Sequence, residues 1–166
     1  MKKIIPPIGL RIIKSSIVVF LSLMTTYIRG NDCIPFYTAI AAIMSVQPTA
    51  KDAKYFGLGR AIGTFIGGFW GIVLLYINIL LPAQHIIVHY LIVSLMIIPT
   101  IYTSIILKKP QSAFIACVTL ISITINHITD TNPFLFAFNR MLDTFIGSLI
   151  GLAINYIALP KEQADN

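Results

Sequence analysis

Between Arg60 and Lys108 the chain carries no Asp, Glu, Lys or Arg. A helix crosses the hydrocarbon of a bilayer with about 20 mostly apolar residues. This stretch holds two such helices in succession, parted by Pro82-Ala83-Gln84-His85. A soluble fold of this size has nowhere to put them. Of the 166 residues, 57% are hydrophobic and only 11% charged, against about 25% charged in an average soluble domain. Mean hydropathy is +0.85. Twelve Lys and Arg with six Asp and Glu are too few to cover the surface that a small soluble domain leaves in water. The composition sets aside a soluble enzyme, a disordered chain and a disulfide-rich secreted domain. Cys33 and Cys117 lie far apart with no C-x-x-C and support neither a metal site nor a disulfide framework. What remains is an integral membrane protein.

The expected fold is all-α and polytopic, a six-helix transmembrane bundle over residues 1–160 with a short cytoplasmic tail at 161–166. The helices are expected at about residues 10–28, 34–47, 60–81, 86–107, 111–128 and 135–159. The Ile-rich runs lack the strict alternation that an outer-membrane barrel needs. The second span is short, because residues 34–47 rise only about 21 Å against a core of roughly 30 Å. Residues 49–59 read as a separate interfacial helix. Pro99 frees a carbonyl inside the fourth span and predicts a bend there. Met1-Lys2-Lys3 before an apolar run imitates a signal peptide, but Arg11 and Lys14 interrupt it and Thr25–Arg29 offers no small-residue cleavage site. It reads as a retained first helix.

The net charge of +6 follows topology rather than nucleic-acid binding, since the cations sit between apolar runs. With both termini in the cytoplasm, Lys2, Lys3, Arg11, Lys14, Lys51, Lys54, Arg60, Lys108, Lys109 and Lys161 fall on the inner side, and Arg29 and Arg140 on the outer. The positive-inside rule favours that orientation.

Two segments match at an offset of 80 residues. Arg60-Ala-Ile-Gly-Thr-Phe-Ile-Gly-Gly-Phe-Trp-Gly71 aligns with Arg140-Met-Leu-Asp-Thr-Phe-Ile-Gly-Ser-Leu-Ile-Gly151, sharing Arg, Thr, Phe, Ile and two Gly. The offset covers three helices, so the third and sixth spans run in opposite directions. This is the logic of a three-helix inverted repeat, with a site between the halves near the midplane. Local convergence on one packing motif explains the same match.

Gly63, Gly67 and Gly71 on the third helix, and Gly147 and Gly151 on the sixth, let backbones approach closely. Packing explains them, and a narrow passage between the two helices is the functional extension. Arg140 sits one to two turns inside the sixth helix, where a charge costs about 2.5–3.5 kcal/mol. Asp143, three residues on, is its expected partner. Arg140 is either held structurally or draws an anion, with Asp143 tuning it or carrying a proton. Arg60, expected at the inner end of the third helix, anchors topology or lines an inner vestibule with Lys14. Thr64 and Thr144 complete the pathway candidates. Thr119, Ser122 and Asn126 form a polar stripe on the fifth helix, for interhelical bonding or for a pore lining. His85 and His89 have a metal-ligand spacing without a third ligand, and His127 near Asp130 reads as a loop pair. The Gly57-x-Gly run follows no strand and is not a phosphate loop. No catalytic set, metal site or cofactor is expected.

The runs Gly9-Leu-Arg-Ile-Ile-Lys14-Ser, Ala42-Ile-Met-Ser-Val-Gln-Pro-Thr49 and Gly59-Arg-Ala-Ile-Gly-Thr-Phe-Ile-Gly67, with Arg140-Met-Leu-Asp-Thr-Phe-Ile-Gly147 and Asn155…Pro160, resemble the fusaric acid resistance and aromatic acid exporter superfamily. The resemblance implies a six-helix bacterial inner-membrane domain that exports aromatic carboxylates and similar anions, with distant kinship to plant malate channels. Many members continue into a large cytoplasmic domain. This chain is therefore expected to be a minimal member, a truncated form or one piece of a larger assembly. The expected partners are the lipid bilayer, a small organic anion and a second copy in a homodimer, with no nucleic acid. A passive anion channel and a non-transporting scaffold are the alternatives to an exporter.

Overall fold

The computed structural model describes residues 9–30, 33–80, 85–126 and 132–157. Lys2, Lys3, Pro82, His127, Asp130, Pro160, the 161–166 tail and the side chain of Asn126 lie outside them. The described chain is all helical. Helix α1 covers Leu10–Arg29 and stops at Gly30, whose φ of 92° is open to glycine at little cost. Helix α2, Pro35–Met44, opens on a proline, whose missing N–H is one that a first turn leaves unbonded anyway. It is shorter than the expected 34–47 because Pro48 holds the preceding residue out of helical geometry.

Helix α3 runs unbroken over Ala50–Leu80. Residues 49–59 are thus not a separate interfacial helix but the opening turns of α3. Thr49 caps them: its Oγ1 accepts the Asp52 N–H at 3.0 Å and donates to Asp52 Oδ2 at 2.8 Å. That reciprocal arrangement starts a helix firmly, and no proline follows to end it. Helix α4 is Ile86–Ile106 with Pro99 inside. A 3-10 turn at Pro110–Ser112 leads into α5, Ala113–Ile121, which widens into a π turn over Ser122–Asn126. Helix α6 is Pro133–Ile157.

Helices α1, α3, α4 and α6 are long and apolar enough to cross a membrane, while Pro35–Met44 and Pro110–Ile125 are shorter apolar segments. The surface is greasy: Phe20, Phe69, Leu91, Ile98, Phe114 and Leu149 are all exposed. Buried positions include many hydroxyls, among them Ser22, Thr26, Thr100 and Thr124. These donate to the carbonyl four residues back, at 2.7–3.0 Å, which satisfies them without a second helix. Apolar outside and polar inside is the pattern of a membrane protein, because lipid removes the cost of exposing carbon.

The centre is an antiparallel pair, α3 on α6. Gly57 faces Leu152, Gly68 faces Met141, and the Phe65 and Phe145 rings meet edge to face at 6.4 Å. Helix α5 packs on α3 and α2 on α6; α4 lies on α5 and α3, and α1 on α2 and α6. The glycines make the flanking contacts. A Cβ on Gly63 would lie 2.5 Å from the Ser112 carbonyl oxygen, and one on Gly67 would collide with the Ala116 carbonyl. On α6, Gly147 abuts the Thr38 carbonyl and Gly151 the Ala42 carbonyl. Gly71 meets the Ile123 side chain. These glycines therefore face α5 and α2 rather than one another. They do not line a passage between α3 and α6, because their missing side chains are filled by neighbouring backbone.

Candidate functional site

Successive helical residues turn by 100°, so the contacts above fix what each face of α3 meets. Gly63 and Gly67 face α5, and Gly57, Phe65 and Gly68 face α6. Arg60 and Thr64 fall in the sector between. The same reasoning on α6 gives Gly147 and Gly151 to α2, and Met141, Phe145 and Leu152 to α3. Thr144 and Ser148 fall between, while Arg140 lies on the face turned to α2 and its Tyr37. All five side chains are buried, Arg60 at 7% exposure and Arg140 at 4%. The structure thus gathers four of the six pathway candidates, Arg60, Thr64, Arg140 and Thr144, around the central helix pair.

Their hydrogen-bonding capacity is largely unspent. The Arg140 guanidinium carbon lies 3.3 Å from the centre of the Tyr37 ring, a cation–π contact of about 2 kcal/mol when desolvated. Among the described residues its Nε and Nη1 have no hydrogen-bond partner. Arg60 directs Nη1 to Met44 Sδ at 2.9 Å, a weak acceptor, and its Nε is unpartnered. The hydroxyls of Thr64, Thr119, Thr144 and Ser148 and both amide atoms of Asn155 also lack partners. Each such buried group costs about 1–3 kcal/mol. Unspent guanidinium donors suit an oxyanion, since planar forks bind carboxylates bidentately.

Asp143 does not pair with Arg140. It is buried at 1% exposure and forms its ion pair with Arg29 at the end of α1, while Oδ2 accepts the Ile34 N–H at 3.3 Å. The three-residue spacing on one helix lost to a partner from another helix that reaches the carboxylate directly. Arg60 is not at the mouth of its helix either. With α3 starting at Ala50, it lies more than two turns inside. Lys14 is half-buried on α1, and among the described residues no hydrogen bond or ion pair joins it to Arg60. The polar stripe on α5 is interrupted by the π turn. Thr119 faces Gly67, whereas Ser122 Oγ sits 3.2 Å from the Tyr37 hydroxyl.

Tyr37, Met44 and Arg29 were missed from sequence. Tyr37 is held by edge contacts to Phe36 and Phe136, and nothing in its local spacing marks it. His89 was read with His85 as a metal-type pair. In the structure His85 is exposed and His89 is buried. Its Nε2–H donates to the Thr124 carbonyl at 3.0 Å, which leaves Nδ1 to accept from Asn78 Nδ2 at 3.5 Å. Among the described residues no three His, Cys, Asp or Glu side chains come together as a metal site requires.

Known proteins resemble this chain over most of its length. A UPF0421 protein of Halalkalibacterium halodurans is 28% identical over 159 residues, covering 95% of this chain and 41% of the relative. A UPF0421 protein of Oceanobacillus iheyensis is 27% identical over 160 residues, covering 96% of this chain and 42% of the relative. The chain therefore spans about two-fifths of the length of these relatives. No solved structure matches it. The fusaric acid resistance protein-like family matches residues 17–154, a range that takes in the paired arginines and threonines and the glycines that seat α3 and α6. The chain, a membrane protein by its helices, belongs to the fusaric acid resistance protein-like family.

Proposed function

We propose that this domain exports small organic anions, aromatic carboxylates first among them, across a bacterial inner membrane, by carriage and not by enzymatic conversion. The observation that carries the reading is Arg140: a buried cation whose Nε and Nη1 donors find no partner among the described residues. Thr144 and Ser148 extend the unpartnered line along α6, and Arg60 and Thr64 stand opposite on α3. Interior ionisable residues of this kind mark substrate paths in membrane proteins. In this reading six segments cross the membrane, α2 and α5 as short central ones, with both termini in the cytoplasm. The halves form an inverted repeat. Its support is the exchange of contacts: α5 seats the α3 glycines as α2 seats those of α6. Arg60 with Thr64 and Arg140 with Thr144 then bracket the midplane from opposite sides.

The anion gathers at the inner face, pairs with Arg60, and passes by the two threonines to Arg140. Asp143, bound to Arg29, closes the outer side. A homodimer supplies bulk that a single small bundle lacks.

The test is uptake of labelled benzoate into proteoliposomes at two pH gradients. Saturable flux in the native protein and a loss of at least tenfold in Arg140→Gln support the carrier. Unitary currents support a channel. If Arg140→Gln and Lys14→Gln fold normally and flux is unchanged, the domain is a scaffold.

A further inference from the structure

The end of α2, the opening turns of α3 and the 3-10 turn before α5 enclose a small cavity of about 60 Å³. At roughly 30 Å³ for each water, it has room for about two water-sized bodies. Arg60 is the charged residue of its lining, and it is buried at 7% exposure. Its Nε is sealed, and Nη1 is turned to the Met44 thioether. Nη2 is left over: it has no hydrogen-bond partner among the described residues and, unlike Nε, is not closed off. Gln111 stands across from it, half-buried, with its Cγ 3.3 Å from where a Gly59 Cβ would lie. No carboxylate answers Arg60 among the described residues, because Asp143 pairs with Arg29 and Asp52 is bound by Thr49. A buried cation without a counter-charge is strongly destabilising.

We propose that this cavity binds a small monovalent inorganic anion of the halide class. Arg60 Nη2–H and a Gln111 amide N–H donate to the ion, and Met44, Phe56 and Ile115 form its apolar side. Volume excludes an aromatic ring, so the ion held here is not the cargo of the transport reading. Sulfate and phosphate carry more charge than one guanidinium offsets, and the apolar side cannot replace their water. A halide is the size of a water, carries one charge and sheds its water more readily. The site goes beyond the transport reading and does not need it, since the ion neutralises Arg60 whether or not the domain moves cargo.

The experiment measures chloride-35 NMR line broadening by the whole chain in dodecyl maltoside, with sodium gluconate holding the ionic strength constant. The native protein is expected to broaden the line saturably. Bromide displaces chloride, and sulfate at equal ionic strength does not. Arg60→Gln abolishes the broadening. Gly59→Leu keeps the cation but fills the cavity, with only the Gln111 stem in its way, and weakens binding at least tenfold. Arg11→Gln, which removes an exposed cation on α1, changes nothing. Chloride raises the Tm of the native protein, as a ligand of the folded state does, and leaves that of Arg60→Gln unmoved. The proposal is overturned if the native protein shows no saturable broadening, if sulfate competes as well as bromide, or if either cavity variant, folded by circular dichroism, binds chloride like the native protein. Should Arg60→Gln not fold, Gly59→Leu decides. Benzoate flux in matched proteoliposomes separates the two readings. Chloride binding that depends on Arg60 without any flux keeps the site and sinks transport. Flux without chloride binding sinks the site and keeps transport.

Discussion

Asp143 on α6 takes its cation from Arg29, the last residue of α1, and not from Arg140 one turn away on its own helix. The same carboxylate accepts the N–H of Ile34, just before α2 begins. One buried side chain therefore ties together the end of α1, the start of α2 and the middle of α6. Arg140 is left to the Tyr37 ring, with donors to spare.

Breaking that tie should be costly. Removing one partner of a buried ion pair costs about 3–5 kcal/mol, and the partial exposure of Arg29 places Arg29→Gln toward the lower end. The double variant Arg29→Gln/Asp143→Asn should recover part of the loss, because an amide still accepts from Ile34. Reversible unfolding in detergent, run as a double-mutant cycle, should give a coupling of about 1–3 kcal/mol.

Gly67→Ala and Gly147→Ala should each destabilise by about 1–3 kcal/mol or more, because the added methyl meets a carbonyl fixed in a helix. Gly9→Ala adds a methyl with nothing within 4 Å and should be close to neutral. Thermal unfolding of the three variants side by side checks the contrast.

Thr64→Val and Thr144→Val should separate stability from transport. Both hydroxyls are buried and unpartnered, so each replacement should leave stability unchanged or raise it by about 1 kcal/mol. Benzoate flux should fall severalfold. A variant more stable than the native protein and slower in flux is the expected combination.

Thr49→Ala removes the cap of α3 and should cost about 1 kcal/mol. Hydrogen exchange should quicken in residues 50–54, with the amides beyond Gly57 unchanged, since close packing of α3 against α6 and α5 holds them.

The helices were legible because apolar length and proline position are local signals. Three long segments, α1, α4 and α6, emerge near their expected bounds and α3 only at its far end, and the match between Arg60–Gly71 and Arg140–Gly151 pointed to the residues that the central pair buries. The failures share one cause, namely contacts between residues distant in sequence. Asp143 was assigned by spacing along α6, yet Arg29 reaches it from another helix. Arg60 was placed at a helix mouth because residues 49–59 read as a separate interfacial helix, but they are the opening turns of α3. The glycine stripes announced close approach correctly without revealing to what. Tyr37 carries no sequence mark at all, since its role exists only once α2 lies on α6. His89 has a legible clue in its burial between charge-free runs, but the Thr124 carbonyl it bonds depends on a π turn that no spacing announces.

The glycine contacts have a mechanical consequence. They lock α3 to α5 and α6 to α2 through carbonyl oxygens that cannot yield. The seam between α3 and α6, by contrast, is made of a methionine thioether at 2.7 Å from where a Gly68 Cβ would lie and a pair of phenylalanine rings. Thioethers and rings can slide where carbonyls cannot. The softest of the three seams is thus the central one, and in the proposed carrier the rocking that exposes Arg60 and Arg140 in turn would run along it.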